Sequence, residues 1–196
     1  MVKSYLVDAR VQAQDNLDRR SDLELIAAIN RGDPDAFEVL YFRYRDWVVH
    51  LAYRFTADDQ AALDVLQETF LYFLGKFPGF RLTANLKTFL YPAVRNLSAG
   101  ARDKSRRYQA TEIELGRIEE AQAPESTSTD TGDLQLVLGA LSEEHREVLL
   151  LRFVDGLSLL EISQSMDIPL GTVKSRLHNG LQTLREDPRT REFFGR

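Results

Sequence analysis

No cysteine occurs among the 196 residues. That excludes disulfides, thiolate metal sites and a cysteine nucleophile, and it fits a reducing compartment such as the cytoplasm. Histidine is scarce: His50, His145 and His178 are the only three, and they have no metal-ligand spacing. GxGxxG, P-loop, GxSxG and HExxH patterns are all missing. No catalytic site, metal or cofactor is therefore expected. There is no run of about 18 apolar residues, so no spanning helix is expected. The opening MVKSYLVDARVQAQDN lacks the apolar core of a signal peptide. These absences predict a cytoplasmic, non-enzymatic protein with no membrane partner.

What is present is helical pattern. The chain is 43% hydrophobic and 28% charged, which suits a globular fold. Phe37, Leu40, Tyr41, Tyr44, Val48, Leu51, Ala52 and Phe55 follow the three-four spacing of one buried helix face. Pro34 suits a first turn, and Asp33 before it suits an N-cap. The stretch 58–74, DDQAALDVLQETFLYFL, predicts a second helix. Its inner face is Ala62, Val65, Leu66, Thr69, Phe70 and Phe73; Asp64, Gln67, Glu68 and Leu71 lie opposite. KFPGFRLTANLK (76–87) reads as a loop. TFLYPAVRNLSAGARDKSRR (88–107) resumes an apolar pattern and ends basic, with Arg95, Arg102, Lys104, Arg106 and Arg107 against Asp103.

Charge then changes sign. Residues 109–133 carry seven acids against Arg117 and few large apolar side chains, so they read as a solvated acidic linker, weakly helical at most near its start. Much of the formal net charge of -5 resides there, and the flanking segments keep local basic faces. Beyond it, SEEHREVLLLRFVDG (142–156) predicts a helix capped by Ser142 and stopped at Gly156. Ser158 and Glu161 form a capping box, and Leu157 and Ile162 occupy the positions of a hydrophobic staple. That helix ends by Met166, with a turn at Asp167, Ile168 and Pro169. Two helices joined by a short turn make a helix-turn-helix pattern.

Three features can carry function. On the helix 170–185, Val173, Leu177, Leu181 and Leu184 share one side. Ser175, Asn179 and Gln182 point away, with Thr172 and Arg176 on one edge and Lys174, His178 and Arg185 on the other. A major-groove helix wants short polar groups in the centre and cations at the edges; a solvated helix face is the plainer alternative. The outer face of DVLQETFLYF is either solvated or a docking face for a partner helix. The aromatics Phe77, Phe80, Phe89 and Tyr91 fit core packing better than base stacking, yet the loop and its cationic helix suit unstacked bases and phosphates.

Together, GDPDAFEVLYFRYRDWV, DVLQETFLYF, FRLTANLKTFLYPAVRN and REVLLLRFVDGLSLLEISQSMDIPLGTVKSRLHNGL resemble the extracytoplasmic-function (ECF) group of bacterial RNA polymerase sigma factors. The resemblance spans about 21–107 and 134–187. It implies an all-α fold of two small helical domains, at those ranges, joined by a flexible acidic linker at 108–133, with extensions at 1–20 and 188–196. It implies a transcription initiation factor whose partners are core RNA polymerase and promoter DNA, with an anti-sigma factor as a further partner the family allows. Asp64, Gln67, Glu68 and Leu71 match positions that bind core polymerase. Phe80, Arg81, Asn85, Lys87, Arg95, Asn96, Arg102, Lys104, Arg106 and Arg107 match the loop and helix that open the minus-ten element. Thr172, Lys174, Ser175, Arg176, His178, Asn179 and Arg185 match the helix that enters the minus-thirty-five groove. The sequence departs from the family at Phe89, where Trp is common, and at Pro92, where a bend is expected. It departs again at Asn179 and Gly180, where Arg and Ala are usual. Gly180 is expected to weaken its helix by ~1 kcal/mol. A stand-alone helix-turn-helix regulator and a purely protein-binding adaptor are the competing readings.

Overall fold

The computed structural model describes residues 18–114, 138–188 and 190. Residues 115–133 of the expected acidic linker lie outside these, as do 1–17, 189 and 191–196 of the two extensions. The chain divides into two compact units, one within Val2–Gln122 and one within Ala123–Arg196. Regular structure among the described residues is entirely helical.

The first unit holds α1 (Asp22–Asn30), α2 (Pro34–Thr56), α3 (Asp59–Leu74) and α4 (Leu86–Glu114). Local chemistry sets the helix starts. Asp33 accepts from the backbone of Asp35 and Ala36 ahead of Pro34, and Asp58 accepts from Ala61 N at 2.7 Å. Each satisfies amide groups that a helix start leaves orphaned. The expected inner face of α3 is buried residue for residue, from Ala62 to Phe73.

Helix α1 was not read from the sequence, although Ser21 and Glu24 give it a complete capping box. The Ser21 N–H donates to the Glu24 carboxylate at 2.6 Å and holds its pKa below the ordinary range. Asp22 then ties α1 to α2. It accepts from the Arg43 guanidinium at 2.7 Å and from the Tyr44 hydroxyl. Burial, and then that hydrogen bond, push the Tyr44 phenol pKa well up.

Helix α2 packs on α1, α3 and α4, and α3 packs on α4. Helix α4 runs through Pro92 without a break. The missing N–H and ring clash cost ~3 kcal/mol, but Leu86, Leu90, Tyr91 and Val94 are fully buried on both sides of it. Tertiary packing offsets the local penalty. The helix also continues past residue 107 to Glu114, since 108–114 contains neither glycine nor proline to stop it.

The second unit holds α5 (Glu143–Phe153), α6 (Leu159–Met166) and α7 (Leu170–Glu186). The Ser142 cap is present. Helix α5 ends three residues before Gly156, because Asp155 N returns to Leu150 O at 3.0 Å and Leu157 N to Leu151 O at 3.0 Å. Gly156 supplies the left-handed residue of that closure, at φ 75. The Ser158–Glu161 capping box forms, and Leu157 and Ile162 are both buried. Helices α5 and α6 each pack on α7.

Gly180 has a packing role beyond its helix propensity. It is buried in α7, and a Cβ there would sit 2.9 Å from Leu149 Cδ1 and 3.4 Å from His145 Cβ. Its missing side chain lets α7 approach α5, so the propensity loss is not its only effect.

Candidate partner and nucleic-acid interfaces

The outward face of α3 exposes Asp64, Gln67, Glu68 and Leu71. Leu71 is 68% exposed, and Tyr72 and Leu74 are 45% exposed. Large apolar side chains grouped beside acids are more than solvation requires; such patches mark docking faces. Helical spacing accounts for the grouping, since 64, 67, 68 and 71 fall on one stripe.

The loop after α3 is built on rings. Phe73 of α3 is fully buried, with Phe77, Phe80 and Phe89 at 5.2, 5.3 and 5.8 Å between centroids. Phe80 also meets Phe89 edge-on at 4.7 Å. Phe80, named among the minus-ten residues from the sequence, is thus engaged as a packing residue that shapes the loop. Of the four aromatics Tyr91 is fully buried, whereas Phe77, Phe80 and Phe89 are half-buried rings packed against Phe73. Phe89 stacks on Tyr72 at 5.9 Å, so the ring at that departure from the family remains part of the scaffold.

A side chain far away in sequence holds the same loop. Asn30 accepts from Gly79 N at 2.6 Å and donates to Phe80 O at 2.9 Å. Arg81, next along, is exposed. Asn85 accepts from Lys87 N at 2.9 Å, so its side-chain oxygen caps α4. Lys87 lies over the Trp47 ring at 5.5 Å. Arg95, Asn96, Arg102, Lys104, Arg106 and Arg107 are exposed along α4, with 95, 102 and 106 on one stripe. A groove separates the start of α3 from this cationic end of α4; Asp58 and Asp64 line it along with Arg102, Arg106 and Tyr108. The acidic face of α3 and the basic end of α4 therefore adjoin.

On α7, Val173 is buried, while Lys174, Ser175, His178, Asn179 and Arg185 are exposed and Thr172 is half-buried. Ser175 Oγ donates to Thr172 O at 3.0 Å. Arg176 is ion-paired to Glu144 of α5 at 2.8 Å, a partner the sequence alone did not suggest. The N-cap position of the helix is Pro169, which gives no side-chain cap, leaving first-turn amides unpaired by side chains. The sequence signal for Asn30 was equally faint, since nothing local marks a residue whose partners lie 49 and 50 positions on.

No group of three or more His, Asp or Glu that could hold a metal occurs among the described residues. Among them, no helix is long and apolar enough to cross a membrane.

Comparison with known proteins agrees with this geometry. Residues 40–108 match the family described as Sigma-70 region 2, and residues 137–186 match Sigma-70, region 4. The chain is 30% identical to the ECF RNA polymerase sigma-E factor of Escherichia coli, over 84% of this chain and 92% of that one. It is 28% identical to the ECF RNA polymerase sigma factor SigW of Bacillus subtilis, over 84% and 95%. The fold is similar to that of CnrH, solved with the cytosolic domain of CnrY, at a TM-score of 0.60 and 22% identity, covering 83% of this chain and 94% of that one. It is also similar to the sigma factor RpoE of Bartonella quintana, solved with the anti-sigma factor NepR, at a TM-score of 0.56 and 24% identity over 76% and 94%.

Proposed function

The chain belongs to the ECF RNA polymerase sigma factors, and from that membership we propose how its surfaces divide the work. It is a transcription initiation factor that binds core RNA polymerase and directs it to promoters. The observation that carries the division is the pairing of two different exposed faces on two separate units: acids around Leu71 on α3, and polar groups between cations on α7.

Asp64, Gln67, Glu68 and Leu71 dock on core polymerase, with Tyr72 and Leu74 enlarging the apolar part of the contact. Arg81 and the cations of α4 take the opened minus-ten strand, the loop meeting bases and the helix meeting phosphates. Helix α7 enters the minus-thirty-five major groove. Thr172, Ser175, Arg176 and Asn179 face base edges, Lys174 and Arg185 meet phosphates, and the uncapped N-terminus offers amides to the backbone. Arg176 must exchange Glu144 for DNA on docking. An anti-sigma factor is included among the partners, and the site of action is the cytoplasm. The factor itself makes and breaks no covalent bond.

The test is promoter-directed initiation. The purified chain is mixed with core polymerase, separated by size, and assayed for run-off transcripts and footprints at both promoter elements. Co-migration with promoter-dependent transcripts is expected. Absence of co-migration refutes the reading, and a twofold-symmetric footprint without polymerase favours a stand-alone regulator.

A further inference from the structure

We propose that Asn30 is a positioning residue for promoter reading: its one amide sets where the loop carrying Arg81 stands, and thereby how sharply minus-ten bases are discriminated. The inference rests on the minus-ten reading of that loop given above.

Asn30 is the last residue of α1, and α1 is anchored at its other end by Asp22 to Arg43 and Tyr44 of α2. Its amide uses both halves on one target. The oxygen accepts from Gly79 N at 2.6 Å, and the nitrogen donates to Phe80 O at 2.9 Å. These are main-chain bonds on consecutive residues, so they fix a backbone position and do not depend on side-chain identity in the loop. Arg81 follows immediately and is exposed.

The loop has other anchors, but they act on different parts. The Phe73 ring holds the side chains of Phe77 and Phe80, and Asn85 caps α4 at the far end. Gly79 has φ 103, a left-handed conformation that glycine adopts without a Cβ penalty, so the backbone here turns freely and the Asn30 bond selects one position for it. Among the described hydrogen bonds, Asn30 is what receives Gly79 N. Aspartate at position 30 would keep the shape and the acceptor. It would lose the donor and set a carboxylate against the Phe80 carbonyl. Leaving a carbonyl without its donor, beside a like-signed oxygen, lets the loop shift while the ring cluster stays in place.

The experiment compares wild type with Asn30→Asp and Asn30→Ala in the full chain bound to core polymerase. Templates are a duplex promoter, the same promoter with single minus-ten base substitutions, and one with a pre-opened minus-ten bubble. Core binding by co-migration and thermal unfolding are recorded for every variant. The expected result for Asn30→Asp is core binding within about twofold of wild type and roughly tenfold weaker initiation on the duplex, the scale of one or two lost hydrogen bonds. The preference among minus-ten bases should flatten, with Asn30→Ala behaving alike. In an Arg81→Ala background the same change should add little, because residues acting through one another are non-additive.

Unchanged base preference overturns the proposal, whether yields stay normal or fall equally on every template, since an equal fall is what simple loss of fold produces. Full additivity with Arg81→Ala also overturns it. Should Asn30→Asp fail to fold, Asn30→Ala and the Arg81→Ala cycle decide by the same criteria. The outcomes separate the two layers. A wild-type chain that shows no minus-ten preference with core polymerase defeats the underlying reading, whereas a wild-type preference unaltered in the variants defeats only the role of Asn30.

Discussion

Phe73 is the centre of the ring cluster packed under the loop that carries Arg81. It is fully buried and touches Phe37, Phe77, Phe80 and Phe89. Two replacements separate what it contributes. Phe73→Ala removes volume from a closed core, and such changes cost about 3–5 kcal/mol. Phe73→Leu keeps most of the volume but removes the ring pairs. Each favourable pair is worth about 0.5–1.5 kcal/mol beyond burial, and not all four will be fully lost, so about 1–3 kcal/mol is expected. Since small domains hold only about 5–15 kcal/mol, the alanine variant should lose a large fraction of the first unit's stability. Trp47, the single tryptophan of the chain, lies in α2. Its fluorescence therefore reports urea unfolding of the first unit alone. The midpoint should fall in the order wild type, leucine, alanine, with similar slopes. An alanine variant within about 1 kcal/mol of wild type would refute the account of the cluster as a packed core, and with it the claim that Phe80 is a scaffold residue.

Other expectations can be checked separately. Glu68→Lys should weaken core binding through charge reversal and leave the Trp47 unfolding curve unchanged; unaltered affinity would reduce the α3 face to a solvated one. Arg176→Ala should cost ~1–3 kcal/mol at one base position if the guanidinium reads a base, and an equal loss on every promoter sequence, seen by competition binding, would assign it to a phosphate. Gly180→Ala should fall within about 1 kcal/mol of wild type in calorimetry, because its gain in helix propensity opposes displacement of the Leu149 tip, while Gly180→Ile should destabilise by about 1–3 kcal/mol through overpacking. The Asp18 carboxyl is held at about 2 by the Arg20 side chain and backbone. Because its folded pKa lies below the unfolded one, its contribution to stability is present above about 4 and is lost as pH falls through about 2. An NMR titration should show this, with Arg20→Ala returning the carboxyl towards its ordinary range.

The legible parts of the fold share a cause. The inner face of α3, the caps at Asp33, Ser142 and Ser158, and the turn at Asp167 all depend on residues within a few positions of one another. Hydrogen-bonding groups and apolar spacing at that range act before any tertiary contact forms. Helix α1 carries the same signal, a capping box at Ser21 and Glu24 followed by the buried Leu25, Ile26, Ala28 and Ile29, and was as legible as the shorter α6. The first residues of the acidic stretch, expected to be weakly helical at most, continue α4 as far as Glu114.

The candidate sites divide in the same way. Which side chains of α3 and α7 point outward follows from helical period, and the sequence determined it: Asp64, Gln67, Glu68, Leu71, Lys174, Ser175, His178 and Asn179 are exposed as the pattern requires. What those side chains touch did not follow. The pairing of Arg176 with Glu144 needs α5 and α7 brought together across Gly180. The survival of α4 through Pro92 needs the buried run of leucine, tyrosine and valine around it. The grip of Asn30 on Gly79 and Phe80 needs α1 folded against α2. A periodic pattern specifies which way a side chain faces; a contact between residues far apart in the chain exists only once packing has fixed the distance between their helices.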